Sequence, residues 1–100
     1  MDNINIVVEE ILNNADVKKI ILISKKIDVQ GGLQSFKLCV VVETDNVSQT
    51  EEQLYMQIDC DINFDLILYN TADWERLSKE HGAFAWKIKQ TGAVLYGGAE

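Results

Sequence analysis

Apolar residues in this chain recur with a helical period in some segments and form short unbroken runs in others. In residues 2–15, five apolar residues recur three or four positions apart, which would place them on one face of a helix. This spacing predicts an amphipathic helix. They are Ile4, Val7, Val8, Ile11 and Leu12. Apolar runs at 17–25 and 33–43 predict two strands buried on both faces. Gly31 and Gly32 allow the chain to turn back between them, so an antiparallel pair is expected.

The middle of the chain predicts a second helix and a third strand. Ser48 and Glu51 have the spacing of a capping box, in which two side chains satisfy backbone N–H groups at the start of a helix. This helix is expected to run to about residue 58. Its predicted buried residues are Leu54, Tyr55 and Ile58. Residues 62–69 follow as the third strand, alternating at first and wholly apolar at the end.

A third helix is predicted directly after this strand. Asn70 or Thr71 is expected to cap it, because side-chain oxygens of these residue types accept hydrogen bonds from the free backbone N–H groups of a first turn. Trp74 and Leu77 are expected to form its buried face.

The last predicted helix spans residues 83–91, with Gly92 as a left-handed C-cap and residues 94–96 as a short apolar tail. Its predicted inward-facing residues are Phe84, Ile88 and either Ala85 or Trp86. The resulting order is αββαβαα. It predicts a single α+β domain over residues 1–100, with helices packed on a small mixed sheet.

Composition is that of a globular protein, with 47% apolar and 25% charged residues. No apolar run approaches the roughly 20 residues needed to cross a bilayer, so no membrane association is expected. The first residues lack the basic start of a secretory signal, which favours a cytoplasmic protein.

The formal net charge is −7, from 16 acidic and 9 basic residues, and such a surface disfavours nucleic-acid binding. A basic patch of Lys18, Lys19, Lys25 and Lys26 is the local exception, unless these lysines only keep a strand edge soluble.

The two cysteines, Cys39 and Cys60, are expected to be free thiols. Together with His81 they are too few to form a zinc site.

Three segments follow, in order, the strand and tail patterns of a known family. Residues 35–42 read Ser-Phe-Lys-Leu-Cys-Val-Val-Val, residues 64–69 read Phe-Asp-Leu-Ile-Leu-Tyr, and residues 91–96 read Thr-Gly-Ala-Val-Leu-Tyr. This arrangement resembles the small bacterial nucleotidyltransferases of the DNA polymerase beta superfamily, over residues 17–97. Their second strand begins Asp-x-Asp-Leu-x-Val-Val and their third is close to Val-Asp-Leu-Val-Val-Tyr.

The resemblance implies a degenerate active site. The family's Gly-Ser pair falls at Ile23 and Ser24, and the two aspartates of Asp-x-Asp fall at Ser35 and Lys37. Only the third carboxylate is kept, as Asp65. Two-metal phosphoryl transfer needs clustered carboxylates around magnesium, so no catalytic residue, metal site or cofactor is expected. Lys37 is expected to occupy the cation's place and to pair with Asp65.

Other candidate chemistry is weaker. Asp59-Cys60-Asp61 has the Asp-x-Asp spacing, and with Asp65 it offers three carboxylates, but it falls at a helix-to-strand connection and is expected to be a solvated turn. His81 has no serine or cysteine that can be placed beside it, so a nucleophilic triad is not expected.

The resemblance therefore implies a catalytically inactive nucleotidyltransferase-like domain that works by binding protein. Family members of this size pair with a small helical HEPN-type protein in toxin–antitoxin-like modules, and homodimerisation is an equal alternative. A second hypothesis is that Ser24, Lys25 and Lys37 hold a nucleotide or phosphate without turnover. A third, an active nucleotidyltransferase, requires a different strand register.

Overall fold

The computed structural model describes residues 2–97. Its elements are helix α1 (Asn3–Asn14), strands β1 (Val17–Ile27) and β2 (Leu33–Val42), helix α2 (Val47–Gln57), strand β3 (Asn63–Asn70), helices α3 (Thr71–Leu77) and α4 (Phe84–Thr91), and strand β4 (Ala93–Tyr96). The α+β class and the order of the first seven elements are confirmed. The segment predicted as an apolar tail is a fourth strand.

The four strands form one mixed sheet in the order β3-β2-β1-β4. β1 pairs antiparallel with β2 and with β4, and β2 pairs parallel with β3. Helix α2 supplies the crossover that a parallel pair requires. The β1–β2 turn is held by the Asp28 carboxylate, which accepts hydrogen bonds from the backbone N–H groups of Gln30 and Gly32, each at 2.9 Å. Gly31 has φ +88°, so the predicted glycine turn is confirmed.

Each face of the sheet has its own apolar core, which is why β1 and β2 carry unbroken apolar runs. One face packs against α1 and α2; its central buried residues are Val7, Ile11, Ile20, Leu38, Val40 and Leu54. The other face packs against α3 and α4; its buried residues are Ile21, Cys39, Val41, Trp74, Ala85 and Ile88. The domain is therefore three layers, helices–sheet–helices, with residues 38–42 of β2 fully buried.

The start of α2 differs from the prediction. Its N-cap is Asn46, whose side-chain oxygen accepts a hydrogen bond from the Gln49 backbone N–H at 3.0 Å. Ser48 lies inside the first turn and is exposed. Asparagine is a strong N-cap, and by occupying that position two residues earlier it displaces the predicted Ser48–Glu51 capping box. For α3, the alternative with Asn70 as cap is confirmed, since Asn70 accepts from the Asp73 N–H at 2.8 Å.

Tyr55 was predicted to be buried, but it is 41% exposed. Its hydroxyl oxygen accepts a hydrogen bond from the Leu66 backbone N–H at 2.6 Å, and its ring stacks on Phe64. Tyr55 therefore closes part of the outer edge of β3 rather than filling the core beneath α2. Burial raises the pKa of Tyr55, and the hydrogen bond from Leu66 opposes that shift.

Helix α4 buries Ala85 and Ile88, which are three positions apart and so lie on one helical face. Phe84 was predicted to face inward but is 49% exposed, because it starts the helix at the rim of that face. Trp86 is half-buried and stacks on His81 with ring centroids 4.9 Å apart. Trp74 of α3 is buried, as predicted.

Both cysteines are free, as predicted. Cys39 lies in the core between β2 and α3, and burial raises its pKa to about 12. It is therefore a packing residue and not a nucleophile. Within residues 2–97, none of the helices has the length and apolar character needed to span a bilayer.

Gly92 joins α4 to β4 in extended backbone, with φ −77° and ψ 159°, so the predicted left-handed C-cap is wrong. Glycine is needed there for space instead. A Cβ atom would collide with Cγ2 of Ile21 and would lie 2.8 Å from the carbonyl oxygen of Ile88. The close approach lets β4 begin directly beside β1, with Ala93 opposite Leu22.

We expect Gly92→Ala to lower the free energy of unfolding by about 1–3 kcal/mol, because a buried isoleucine and a helical carbonyl must shift to make room. Urea denaturation measures this change. Gly32→Ala is the matched control, since its nearest neighbour is only the end of the Asp28 side chain, at 3.0 Å. A Gly92→Ala variant no less stable than Gly32→Ala would contradict the close packing.

Candidate functional site

An open groove of about 300 Å³ lies at one end of the sheet, where the end of β1 meets the starts of β2 and β3. The antiparallel β1–β2 pair and the parallel β2–β3 pair together bring these three strand ends to one place. Its lining residues are Ser24, Lys25, Lys26, Ser35, Phe36, Lys37, Asn63 and Asp65. We call it the Lys37 groove.

Strand register arranges most of these residues in two rows across the sheet. Ser24 pairs with Lys37, and Lys37 pairs with Asp65. The next row contains Lys26, Ser35 and Asn63, paired in the same way. Paired residues project to the same face, and residues two apart on a strand share it. The six side chains therefore belong to the face on which Cys39 and Val41 pack under α3 and α4, beyond the part that those helices cover.

Four of the five predicted active-site positions meet in this groove: Ser24, Ser35, Lys37 and Asp65. The fifth, Ile23, is half-buried against the core beneath α3 and α4. A register shift between Leu22 and Ser24 leaves Ile23 without its own partner on β2. All three candidate ligand-binding residues, Ser24, Lys25 and Lys37, line the groove.

The predicted ion pair between Lys37 and Asp65 is not formed. The two residues are register partners on adjacent strands, but within residues 2–97 no nitrogen–oxygen contact of 4.0 Å or less joins their side chains. Lys37 is half-buried and Asp65 is exposed. A lysine can pack its aliphatic stem on a neighbouring strand while its ammonium group remains in water. Lys37 therefore lines the groove without holding Asp65 through an ion pair.

Strand β1 continues to Ile27, two residues beyond the predicted end at Lys25. Ser24 and Lys25 thus belong to the β1–β2 ladder, opposite Lys37 and Phe36. Extended backbone here offers no helix N-terminus or glycine loop of the kind that commonly binds phosphate. Any anion bound in the Lys37 groove would be held by side chains.

The chemistry of the groove favours anions over cations. Lys26 and Lys37 lie on the same face of the sheet as the one carboxylate, Asp65. Lys25 also lines the groove, but it pairs with Phe36 and so projects to the opposite face of the sheet. Among residues 2–97 there is no group of three or more His, Cys, Asp or Glu side chains that could hold a metal ion. Asp59 and Asp61 are exposed and do not line the groove, which agrees with a solvated acidic turn.

Sequence reasoning missed Lys26, Phe36 and Asn63 as lining residues. Asn63 lies two positions before Asp65, and alternation along β3 would have placed both on one face. Simple alternation from Ile21 would place Lys26 on the opposite face of the sheet. The register shift between Leu22 and Ser24 instead puts Lys26 on the face that carries Ser35. Phe36 was expected in the core, and it is there as well, stacked on Phe64 with ring centroids 5.9 Å apart.

A second groove, of about 230 Å³, is lined by residues of β1, β2, α3 and α4 and by Gly97, which follows β4. Its charged lining residues are Lys18, Lys19, Lys79, Lys89 and Glu75. We call it the β4 groove. The basic patch proposed from the sequence is therefore divided: Lys25 and Lys26 line the Lys37 groove, whereas Lys18 and Lys19 line the β4 groove.

Comparison with known protein families, with characterised proteins and with solved structures finds no match to this chain. The resemblance to nucleotidyltransferases thus stays a prediction that rests on the order of the elements and on the positions gathered in the Lys37 groove.

A double-mutant cycle with Lys37→Met and Asp65→Asn tests the electrostatics of the groove. Because no ion pair joins the two side chains, we expect a coupling energy within about 0.5 kcal/mol of zero, measured by urea denaturation. Raising the salt concentration to 1 M should leave the coupling unchanged. A coupling of about 1 kcal/mol or more that disappears in salt would show that the ion pair forms in solution.

Proposed function

We propose that this chain is a catalytically inactive, cytoplasmic nucleotidyltransferase-like domain that works by binding another protein. The observation that carries the proposal is the composition of the Lys37 groove. The nucleotidyltransferases that this chain resembles carry three carboxylates at the corresponding positions. Here the groove has a single carboxylate, Asp65, and three lysines among its lining residues.

This composition opposes two-metal chemistry on physical grounds. Magnesium requires several hard oxygen ligands in near-octahedral geometry, and two such ions must lie about 4 Å apart to act on one phosphoryl group. Lysine ammonium groups repel divalent cations and provide no lone pair while protonated. A groove with one aspartate and three lysines among its lining residues is thus unsuited to nucleotidyl transfer.

A basic protein partner is supported by the charge of the layer formed by α1 and α2. Residues 2–16 and 43–61 contain ten acidic residues and no basic residue. Both helices lie on the same face of the sheet. An acidic surface of this kind steers a basic partner to it. A small helical HEPN-type protein, as in a toxin–antitoxin-like pair, is the partner that the resemblance favours, and a second copy of the chain is the alternative.

Anion binding without turnover is the second candidate function. Ser24, Lys25 and Lys37 all line one open groove, and Ser24 and Lys37 share a face of the sheet with Lys26 and Ser35, which offer a second hydroxyl and a second ammonium group. Such a set could hold a phosphate group by charge-assisted hydrogen bonds.

Calorimetry with ATP, with and without magnesium, separates these functions. The main proposal expects no heat of binding up to millimolar ATP under either condition. ATP or inorganic phosphate binding that does not require magnesium, and that weakens in Lys37→Met, would favour the second candidate. Magnesium-dependent ATP binding would overturn both, because it would mean that a metal site exists in the groove.

The assignment of the degenerate positions can be tested by restoring carboxylates. We expect Ser35→Asp combined with Lys37→Asp to bind Mn²⁺ at millimolar concentration or tighter, since three carboxylates would then share the groove with register fixed by β2 and β3. Electron paramagnetic resonance of Mn²⁺ measures the bound fraction. The control is Ser48→Asp with Lys87→Asp, which has the same charge change on exposed helical positions. Equal Mn²⁺ binding by the two variants would count against the assignment.

A further inference from the structure

The β4 groove has a buried floor that is not wholly apolar. Val41, Trp74 and Ser78 line the groove and are only 2%, 7% and 4% exposed. Within residues 2–97, Ser78, the C-cap of α3, is the one polar residue that is buried. A buried polar side chain is normally satisfied by a hydrogen bond, so the partner of the Ser78 hydroxyl decides what the floor can bind.

The Ser78 hydroxyl makes no hydrogen bond to the described part of the chain, residues 2–97. Thr91, at the end of α4, returns its hydroxyl to the carbonyl oxygen of Lys87 at 2.8 Å. The equivalent carbonyl oxygen for Ser78, that of Trp74, accepts the Ser78 backbone N–H at 2.9 Å and not the hydroxyl.

The indole N–H of Trp74 is likewise without an acceptor among these residues. Every fully buried side-chain nitrogen or oxygen there does have a partner, so the Ser78 hydroxyl and the Trp74 N–H are both reached by solvent. Both residues line the β4 groove. Two hydrogen-bond donors on residues more than nine-tenths buried are therefore open at its floor.

Exposed lysines form the rim of the groove. Lys18 of β1, Lys79 after α3 and Lys89 of α4 line it together with a single carboxylate, Glu75. Lys18 pairs with Asp16 at 3.7 Å, but this exposed pair is weak in water and easily exchanged. Ammonium and indole groups donate hydrogen bonds and accept none. The side chains of the groove are thus short of acceptors, and an anionic group supplies them.

The floor also offers apolar surface. Val41 and Trp74 belong to the core beneath α3 and α4 and reach the groove from it. A cavity of about 150 Å³ is enough to hold benzene. The groove, of about 230 Å³, therefore accommodates one ring with an attached anionic group.

We propose that the β4 groove binds a small organic anion, in which a carboxylate or phosphate group is carried on a single ring. The ring packs on Val41 and Trp74. The anionic group accepts hydrogen bonds from the Ser78 hydroxyl and the Trp74 N–H, and Lys79 and Lys89 at the rim balance its charge. This goes beyond the proposed function, because the groove is separate from the Lys37 groove and its use does not require the domain to be inactive or to bind protein.

The probe is phenyl phosphate, followed by the indole N–H signals of the whole protein in NMR spectra. We expect a saturable shift of the Trp74 signal, with a Kd in the millimolar range or tighter. The Trp86 signal should not move, because Trp86 does not line the groove. Trp86→Phe assigns the two signals. A Trp74 signal that stays in place throughout the titration would overturn the proposal.

Ser78→Ala should weaken phenyl phosphate binding about threefold to tenfold. It should not lower the urea midpoint of unfolding, because a hydroxyl without a protein partner adds little to the fold. Unchanged affinity, or a lowered midpoint, would overturn the role given to the Ser78 hydroxyl.

Lys89→Gln should also weaken binding, by about threefold. Lys87→Gln is the matched control, since Lys87 is an exposed lysine of the same helix that does not line the groove, and it should change the affinity less than about twofold. Equal effects of the two variants would mean that the groove does not hold the anion.

Other ligands separate the contributions. Inorganic phosphate and benzyl alcohol should each bind about tenfold more weakly than phenyl phosphate. Equal binding by inorganic phosphate would mean charge attraction alone, equal binding by benzyl alcohol would mean apolar contact alone, and either would overturn the proposal. The tighter of phenylacetate and phenyl phosphate identifies the anion as a carboxylate or a phosphate ester. Still tighter binding by a blocked phenylalanine–aspartate dipeptide would assign the groove to a protein and overturn the small-molecule ligand.

The Lys37 groove is the competing site for any anion. Lys37→Met should leave the affinity for phenyl phosphate unchanged within about twofold. A weaker affinity in Lys37→Met, with the Trp74 signal unmoved in the parent protein, would place the anion in the Lys37 groove. That result would overturn this inference and favour the second candidate function, whereas failure of the protein-binding proposal would leave the β4 groove unaffected.

Discussion

Antiparallel pairing of β1 with β2 is the interaction on which the rest of the molecule depends. These are the two central strands, and both faces of their pairing are covered by helices. The register of the pair determines which side chains share a face, and a slip of one residue would exchange the contents of the two cores. It also brings Ser24 opposite Lys37. The core and the candidate site are thus consequences of the same ladder.

Charge divides the molecule along the same layers. The α1–α2 layer and its connections contain only acidic charges, whereas all nine basic residues lie in segments 17–42 and 62–97. Seven of the eight lysines line one of the two grooves. The net charge of the protein is negative, but the two grooves on the side of the sheet that bears α3 and α4 are lined mainly by basic residues among their charged residues. Binding on the two faces would therefore select partners of opposite charge.

Much of the fold could be predicted because its signals are local. The period of apolar residues in α1, the glycine turn at Gly31 and the cap at Asn70 depend on neighbours a few positions away. Two of the errors lie where a tertiary contact decides the outcome. Tyr55 is apolar enough for a core, but it lies where its hydroxyl meets the edge of β3. Gly92 has the position of a C-cap, but it is required by the approach of Ile21.

The sequence by itself determined the order of the first seven elements, the apolar strands and the residue types available at the candidate site. Only the tertiary structure decided that Lys26 and Asn63 join Ser35 in one row, that Lys37 and Asp65 are neighbours without an ion pair, and that residues 93–96 form an open edge. The physical reason is that strand pairing joins residues distant in the chain, and register shifts in β1 change which side chains project together. The spacing of residues along the chain carries no information about which strands pair or where their register shifts.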